Sequence, residues 1–486
     1  MPRPRITIET PRRGVSTTAY NPCEDAAPRR LDEDSIMTAR NIATARAEAA
    51  WINRIVDGTT VLTDDLRREI ASRTVDNFRD HINKGFLEHR KSATIAGEFA
   101  ITEWSGQGSI LVDALGREFI DALGGFGLYS LGIRHPKVVA AVKAQLDRTP
   151  QYSQEMLDPL RAQLGRVIAN LTPGNIQCGF VANSGTEGVE GAIKLAKLHT
   201  GRSGFISMTG GFHGKTNGSL SLLGKSMFRE PLLPLLPNVR FAEYGNLSSV
   251  ESELRKAEIV GERIAGVIAE PVQGEAGAIV PPDDFWPGLR KLCDKYGVLL
   301  IADEVQTGFG RVGEIFGVDL WDVAPDIMCF GKALGGGVVA CSAFFSTPEV
   351  WECMTPNPFM HTTTTGGNPI ACAAALAGIE VMLEEDTPRQ AREKGDHLMR
   401  VLEGFREKYP SVLKDVRGKG LLIGISFADG DVGYKAAAGL FQRRVLTSGT
   451  LNNAKAIRIE PALNTPMPVL DEMMNRLEDV LKELSR

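Results

Sequence analysis

The chain has 486 residues, of which 43% are hydrophobic and 24% charged, a composition that excludes a disordered or collagen-like protein and allows two or three domains. Its 55 basic and 60 acidic residues give a net charge of −5, so we expect no nucleic-acid partner. The apolar runs are far shorter than the ~20 residues of a membrane span, so we expect no membrane association. The seven cysteines form no C-x-x-C pair, which predicts reduced thiols, no metal site and a cytoplasmic location.

The first part of the chain changes character twice. Residues 1–40 are rich in Pro, Arg and Asp and lack apolar periodicity, which predicts a flexible N-terminal arm. Apolar side chains at near-helical intervals from Leu66 to Ile82 predict a helix, within an N-terminal helical segment over residues 41–110 that packs with the small domain. Short apolar runs on both sides of Gly116 predict two strands, and a helix is expected over 136–146.

The region from about 175 to 345 has the pattern of a parallel sheet. Seven short apolar runs, rich in β-branched residues and bounded by Gly or Pro, alternate with helix-length segments. This predicts an α/β fold with a mostly parallel central sheet flanked by helices, in a large domain over residues 111–368. Residues 369–486 combine helical stretches with two short apolar runs, and they predict a smaller α+β domain.

The segment that follows the apolar run at 178–182 is a candidate anion site. Ser184, Gly185 and Thr186 combine hydroxyls with a glycine turn at the start of a predicted helix, where backbone N–H groups favour phosphate. The same residues, with Glu187, would also form an ordinary helix capping box. By themselves they favour the capping interpretation.

Three further residues end or follow apolar runs. Phe212 lies in a Gly-rich loop, where its ring would lie against a planar cofactor or fill a gap beside the core. Asp303 ends a very apolar run, and a carboxylate there needs a cation, either a protonated ring nitrogen or a metal ion. Lys332 ends another run in a Gly-rich turn, where a desolvated amine is a nucleophile, although a lone lysine is more often a surface turn residue.

Taken together, these residues fit one cofactor. An anion site, an aromatic ring, a carboxylate and a lysine match a planar aldehyde that carries a phosphate and a basic ring nitrogen. That molecule is pyridoxal 5′-phosphate. The combination favours the functional interpretation over the structural alternatives that each residue has by itself.

Five segments resemble those of the class III aminotransferases of fold type I, in order and in spacing: NSGTE (183–187), GFHG (211–214), EPVQGE (270–275), DEVQTG (303–308) and KALGG (332–336). The resemblance extends from about residue 85 to the C-terminus. Within the class, the stretches 361–377 and 449–463 most resemble the putrescine aminotransferases. The resemblance implies a fold type I transferase that forms a homodimer or a dimer of dimers.

The resemblance also assigns roles to individual residues. Lys332 would hold the cofactor as a Schiff base, and Asp303 would pair with its ring nitrogen. The further cofactor contacts would be made by Ser184, Gly185, Thr186, Phe212, His213 and Gln306, and by Thr364 at the cofactor phosphate of the other subunit. The substrate would meet Gln154, Glu275 and Arg458. The last two would form a salt bridge that opens to admit a substrate α-carboxylate.

The activity that this implies is a ping-pong transamination. The terminal amino group of a diamine, putrescine or cadaverine, would move to a 2-oxo acid, either 2-oxoglutarate or pyruvate. One alternative is an ω-amino-acid transaminase acting on ornithine, acetylornithine, 4-aminobutyrate or 2,4-diaminobutyrate. Others are an aminomutase or decarboxylase on the same fold, and a regulatory module that senses the cofactor, although residues 1–100 show no recognition helix.

Overall fold

The computed structural model describes residues 42–85, 87, 101–151, 156–451, 453 and 455–486. The arm expected over residues 1–40 and the substrate candidate Gln154 lie outside the described residues, so both stay predictions. The chain divides into two compact units, residues 1–63 and 64–486. The first has one described helix, α1 (Ile42–Val56). None of the described helices has the length and apolarity that a membrane crossing requires.

The helices of the second unit confirm the sequence predictions at 66–82 and 136–146. Those of eight or more residues are α2 (Asp64–Asn77), α3 (Pro136–Arg148), α4 (Pro159–Leu171), α5 (Gly185–Thr200), α6 (Leu247–Ile259), α7 (Phe285–Tyr296), α8 (Pro369–Glu384), α9 (Thr387–Lys408), α10 (Gly430–Gln442) and α11 (Met467–Leu484). Shorter helical turns lie at Phe78–Ile82, Gly124–Gly127, Asn217–Ser221, Ser226–Arg229, Glu230–Leu232, Gly317–Trp321, Lys332–Gly335, Pro348–Trp351, Glu352–Met354 and Pro358–Met360. Prolines lie in the first turn of α3, α4 and α8. Proline is favoured there because it lacks the backbone N–H, which in the first turn would have no acceptor within the helix.

The strands include one for each of the seven apolar runs expected between 175 and 345. They are β1 (Glu103–Gln107), β2 (Ile110–Asp113), β3 (Glu118–Asp121), β4 (Cys178–Ala182), β5 (Gly204–Met208), β6 (Val239–Ala242), β7 (Ile264–Ala269), β8 (Leu299–Asp303), β9 (Ile327–Phe330), β10 (Ser342–Ser346), β11 (Leu413–Lys419), β12 (Leu422–Phe427), β13 (Val445–Leu446), β14 (Ser448–Gly449) and β15 (Ala456–Ile459).

The central sheet has seven strands in the order β4-β10-β9-β8-β7-β5-β6. The pairs from β9 to β6 are all parallel, and only β10 runs antiparallel to its two neighbours. The prediction of a mostly parallel sheet flanked by helices is therefore confirmed. Because β4 and β9 both oppose β10, strands β4, β5, β8 and β9 end at the same edge of the sheet.

The apolar character of these strands follows from burial on both faces of the sheet. In β8, Leu300 packs in one hydrophobic cluster together with α3, α4, α6, α7 and α8, whereas the next residue, Ile301, packs in another with α5. Every residue of β7 and β8 is buried. A strand that is covered on both faces has no solvent side for alternating polar residues, so its sequence is continuously apolar.

Two four-stranded sheets complete the second unit, with the orders β1-β2-β3-β13 and β11-β12-β15-β14. A third hydrophobic cluster joins them to α9, α10 and α11, which confirms a smaller α+β part. In β15, Arg458 pairs in register with Gly424 of β12 and with Ser448 of β14, so it occupies an inner strand. The domain boundaries stay predictions; β13, at residues 445–446, pairs with β3, at residues 118–121.

Candidate active site

Apart from Thr364, the predicted cofactor residues lie where four strands end at one edge of the central sheet. Ser184 follows β4, Phe212 and His213 follow β5, Asp303 ends β8, and Lys332 follows β9. Parallel sheets bind ligands outside this edge because the loops there diverge. A Cβ built at Gly331 would lie 3.3 Å from the Cα of Gly185 and 3.2 Å from Val305. The turn before Lys332 thus touches the start of α5.

At the start of α5, the capping interpretation is confirmed. The Glu187 N–H donates to the Ser184 hydroxyl at 3.4 Å, and the Glu187 carboxylate accepts from the N–H groups of Asn183 and Ser184 at 2.7 and 3.3 Å. The cap does not use the N–H groups of Gly185 and Thr186, which are the first of the helix and have no carbonyl acceptor within it. Capping and anion binding are therefore compatible at this helix end.

Hydroxyl groups surround the second residue of α5. Thr186 Oγ1 lies 2.8 Å from Thr216 Oγ1 and 2.6 Å from Ser219 Oγ. Gly214 approaches so closely that a Cβ there would lie 2.3 Å from Thr186 Oγ1, and its φ of +117° also requires glycine. The Thr216 hydroxyl also donates to the Glu190 carboxylate, at 2.5 Å. Three hydroxyls and a helix N-terminus thus form a polar corner, and of the three hydroxyls Thr216 is the one already committed to a carboxylate.

Below this corner, Asp303 is held in place by two donors. His213 Nδ1–H donates to Asp303 Oδ2 at 2.7 Å, and the Val305 N–H donates to Oδ1 at 3.1 Å. Burial lowers the pKa of His213, but the hydrogen bond and the charge of Asp303 outweigh burial, so its pKa is raised. Nearby Glu270 accepts from the N–H groups of Phe212 and Gly274, and burial raises its pKa to about 7. The result is an oriented, buried carboxylate.

Lys332 shares a small space with two side chains from distant parts of the chain. A Cβ built at Gly127 would lie 3.5 Å from Lys332 Cδ, 3.6 Å from Gln306 Cγ and 3.5 Å from Glu460 Oε1. The three side chains therefore converge where Gly127 has none. Lys332 itself has a φ of +42°, a conformation that costs a non-glycine residue about 1–2 kcal/mol.

The turn that contains Gly127 is left-handed over four consecutive residues, with φ values of +57°, +58°, +60° and +91° from Gly124 to Gly127. This turn lies against the chain segment that follows β15. A Cβ built at Gly124 would lie only 2.0 Å from the Glu460 carbonyl oxygen. Phe126, in the same turn, places its ring 5.7 Å from the Arg458 guanidinium. The glycines thus allow this turn to pack directly against the β15 segment.

Arg458 is fully buried and faces two carboxylates. Its NH1 lies 2.8 Å from Glu275 Oε1, and its Nε lies 3.5 Å from Glu460 Oε2. Neither approach has hydrogen-bond geometry, and within the described residues all three guanidinium nitrogens lack a hydrogen-bond partner. The Leu451 N–H donates to Glu275 Oε2 at 3.0 Å. The pairing predicted for Glu275 and Arg458 is therefore present as a close ion pair.

Thr364 lies apart from the Asp303 and Lys332 cluster. It is exposed and lines an open cavity of about 840 Å³ whose lining includes Phe180, Trp351 and Phe359. The side chains on either side of Thr364 are both hydrogen-bonded to the amide of Asn183, just before the start of α5. Asn183 Nδ2 donates to Thr363 Oγ1 at 3.1 Å, and Thr365 Oγ1 donates to Asn183 Oδ1 at 3.0 Å.

Two residues of the cluster are absent from the sequence-based site. Glu460 directly follows the apolar strand β15, so the signal that identified Asp303 would also have identified it. Glu270 begins the EPVQGE segment, of which the sequence predicts only Glu275 as a site residue. Both are buried carboxylates, and buried carboxylates are rarely found without a partner.

The described fold is similar to those of several solved structures. The chain is similar to an amine transaminase from an uncultivated Pseudomonas species in its pyridoxal-phosphate-bound form (29% identity, TM-score 0.74, covering 79% of this chain and 95% of that chain). It is also similar to the ornithine aminotransferase of Toxoplasma gondii (25% identity, TM-score 0.77, 89% and 97%). An S-selective transaminase from Arthrobacter sp. with alanine bound is a third (26% identity, TM-score 0.76, 85% and 98%).

A family model agrees with these structural relatives. The model described as aminotransferase class-III matches residues 93–481, which is most of the chain and contains every strand of the three sheets. The chain therefore belongs to the class III aminotransferases, and it is a pyridoxal-phosphate-dependent transaminase.

Proposed function

We propose that this transaminase moves the terminal amino group of a diamine, putrescine or cadaverine, to a 2-oxo acid, 2-oxoglutarate or pyruvate. The observation that carries the proposal is the buried cluster of Glu275, Glu460 and Arg458. One pocket has to accept a cationic donor and then an anionic acceptor. Two carboxylates beside one guanidinium offer a partner for each. The stretches at 361–377 and 449–463, which resemble putrescine aminotransferases, support the same substrate.

The residues at the sheet edge fit pyridoxal 5′-phosphate. The first N–H groups of α5, which have no acceptor within the helix, and the surrounding hydroxyls suit its phosphate, and the oriented carboxylate suits its ring nitrogen. The residues that we propose as its contacts are Ser184, Gly185, Thr186, Phe212, His213, Asp303, Gln306 and Lys332. Ser184 would contribute through the cap that fixes the turn, because its hydroxyl already accepts from Glu187.

When bound, the cofactor supplies an aldehyde that captures amines and a ring that withdraws electrons from the reacting carbon. Asp303 would hold a proton at the ring nitrogen. The hydrogen bonds that its carboxylate accepts from His213 and from the Val305 N–H fix the orientation of that carboxylate. The released Lys332 amine would take the proton from the substrate carbon and return it, a positioned proton transfer that typically contributes ~10²–10⁴-fold. Lys332 is only partly exposed, so water has limited access to this transfer.

We propose that Glu275 and Arg458 form a gate for the second substrate. With a diamine, which has no carboxylate, Glu275 would remain paired with Arg458 as it is in this structure. With a 2-oxo acid, Glu275 would turn away and the guanidinium would bind the α-carboxylate. The lack of hydrogen-bond geometry between the two side chains supports this, because a pair held only by charge is easier to open than a bidentate one.

We further propose that the cytoplasmic enzyme works as a homodimer or a dimer of dimers, with Thr364 at the cofactor phosphate of the other subunit. Leu157 and Phe359 are 97% and 73% exposed, and Phe359 lines the open cavity beside Thr364. Large exposed apolar side chains, one of them beside a cavity, support a surface that a second subunit covers. Thr364→Ala should then weaken cofactor retention, while sedimentation shows an intact dimer. A fully active monomer would contradict the shared site.

The substrate proposal is tested with a panel of amine donors at saturating 2-oxoglutarate or pyruvate. We expect kcat/KM to be highest for putrescine and cadaverine. A higher value for ornithine, acetylornithine, 4-aminobutyrate or 2,4-diaminobutyrate would favour the ω-amino-acid transaminase, which the likeness to an ornithine aminotransferase keeps as the second candidate. Borohydride reduction followed by peptide mass spectrometry should locate the cofactor on Lys332, and Lys332→Ala should be inactive.

A further inference from the structure

The Glu460 carboxylate lies at the centre of the proposed site, yet the transamination described above assigns no function to its contact with Gln306. Glu460 is fully buried, and its backbone is fixed because its N–H donates to the Ala122 carbonyl at 2.8 Å. Its Oε1 accepts a hydrogen bond from Gln306 Nε2 at 2.7 Å, across 154 positions of sequence. Its Oε2 has no hydrogen-bond partner within the described residues.

The contact determines which way the Gln306 amide faces. A carboxylate only accepts hydrogen bonds, so the atom of Gln306 that faces Glu460 has to be the nitrogen. The amide oxygen is then directed towards Gly274, where a built Cβ would lie 1.9 Å from it. The second N–H of Gln306 donates to the Phe126 carbonyl at 3.5 Å, a long and therefore weak hydrogen bond. A charged ligand oxygen would replace this acceptor with a stronger one.

Charged neighbours hold Glu460 as the acceptor. Arg458 Nε lies 3.5 Å from Oε2, and buried Arg311 also interacts with Glu460 through its charge. Arg311 is itself fixed, since its guanidinium donates to the carbonyls of Leu421 and Pro461. Arg311 also interacts through its charge with Asp121. Burial raises the pKa of Asp121 to about 6. Two buried guanidinium groups, those of Arg458 and Arg311, therefore interact with the Glu460 side chain.

We propose that Glu460 is a positioning residue that keeps the Gln306 amide turned so that its nitrogen donates to the ring hydroxyl of pyridoxal 5′-phosphate. This rests on the contact between Gln306 and the cofactor in the proposed function. An amide turned the other way would direct an oxygen at Glu460 and leave two acceptors facing each other. With Glu460 in place, Gln306 stabilises the deprotonated ring oxygen. Glu460 acts through Gln306 and does not itself touch the cofactor.

The test is a pH titration of the cofactor absorbance in the holoenzyme. In Glu460→Gln, the neighbouring amide is both donor and acceptor, so Gln306 is free to rotate and the donor to the ring oxygen is lost. The pH midpoint of the cofactor absorbance change should rise by about 1–2 pH units, the size of one hydrogen bond to a charged group. Loss of the Glu460 charge without rotation would lower the midpoint. Glu460→Asp keeps the acceptor and should shift the midpoint upward by less than half as much.

Two further variants identify the route of the effect. In a Gln306→Ala background, Glu460→Gln should cause no further shift, because the residue through which it acts is gone. If Glu460→Gln does not fold, the same cycle is run with Glu460→Asp. Glu385→Gln is the matched control, since Asn464 Nδ2 donates to Glu385 Oε2 at 3.4 Å, and it should leave the midpoint unchanged.

The outcomes separate this inference from the function on which it rests. An unchanged or lowered midpoint in folded, cofactor-loaded Glu460→Gln would refute the inference. So would an equal shift with and without Gln306. A wild-type midpoint in Gln306→Ala would refute the cofactor contact assigned to Gln306 as well. A failure to use diamines would appear only in turnover, because the titration needs no amine substrate.

Discussion

The gate formed by Glu275 and Arg458 makes a quantitative prediction for Arg458→Gln. The arginine is fully buried with its NH1 2.8 Å from Glu275, and in the acceptor half-reaction its guanidinium would meet the α-carboxylate of the 2-oxo acid. A hydrogen bond between charged groups contributes about 1.5–3 kcal/mol, and each 1.4 kcal/mol corresponds to a factor of ten. The acceptor half-reaction should therefore slow by about 10- to 150-fold.

The donor half-reaction should slow far less, because a diamine offers no carboxylate to Arg458. Removing the guanidinium also leaves Glu275 and Glu460 without their buried cation, and breaking such a pair typically costs about 3–5 kcal/mol of stability. Assays therefore have to be run well below the unfolding transition of the variant. That transition is measured by circular dichroism.

Single-turnover absorbance separates the two halves: enzyme mixed with putrescine, and the aminated enzyme mixed with 2-oxoglutarate. Arg290→Gln is the control for the loss of a partly buried ion pair, since Arg290 NH1 lies 2.8 Å from Asp326 Oδ2 and belongs to no part of the proposed site. It should leave both halves unchanged. Equal slowing of the two halves in Arg458→Gln would refute the gate and leave Arg458 with a structural role.

Three further outcomes follow from the described contacts. Asp303→Asn should lower turnover by at least about tenfold with unchanged circular dichroism, because the anion that His213 orients is lost; near-normal turnover would contradict the ring-nitrogen contact. Gly124→Ala should lower the Tm, since its Cβ would lie 2.0 Å from a carbonyl oxygen, whereas Gly404→Ala in α9, where no atom lies within 4 Å, should not. Burial raises the pKa of Glu304 to about 7, so below that pH the folded protein binds a proton that the unfolded chain has lost. Urea unfolding should therefore show stability falling as pH rises from about 4.5 to 7, and Glu304→Gln should reduce this slope.

The sequence by itself determined the α/β class and the residues that end its central strands. Strands covered on both faces have to be apolar throughout, so they stand out from helices and loops without any tertiary information. In parallel strands the candidate site residues directly follow the strand ends, so local context alone predicts Asp303 and Lys332. The start of α5 was equally readable, because a helix cap and an anion site use residues that are adjacent in sequence.

Tertiary structure alone decided the contacts between segments that are far apart in the chain. The antiparallel placement of β10, the pairing of β3 with β13 and the convergence of Lys332, Gln306 and Glu460 beside Gly127 leave no periodic trace in the sequence. Hydrophobic periodicity reports which face of an element is buried, but not which element covers it. Glu460 acquires its partner from 154 positions away, because the glycine turn at 124–127 has no side chains between Glu460 and Gln306.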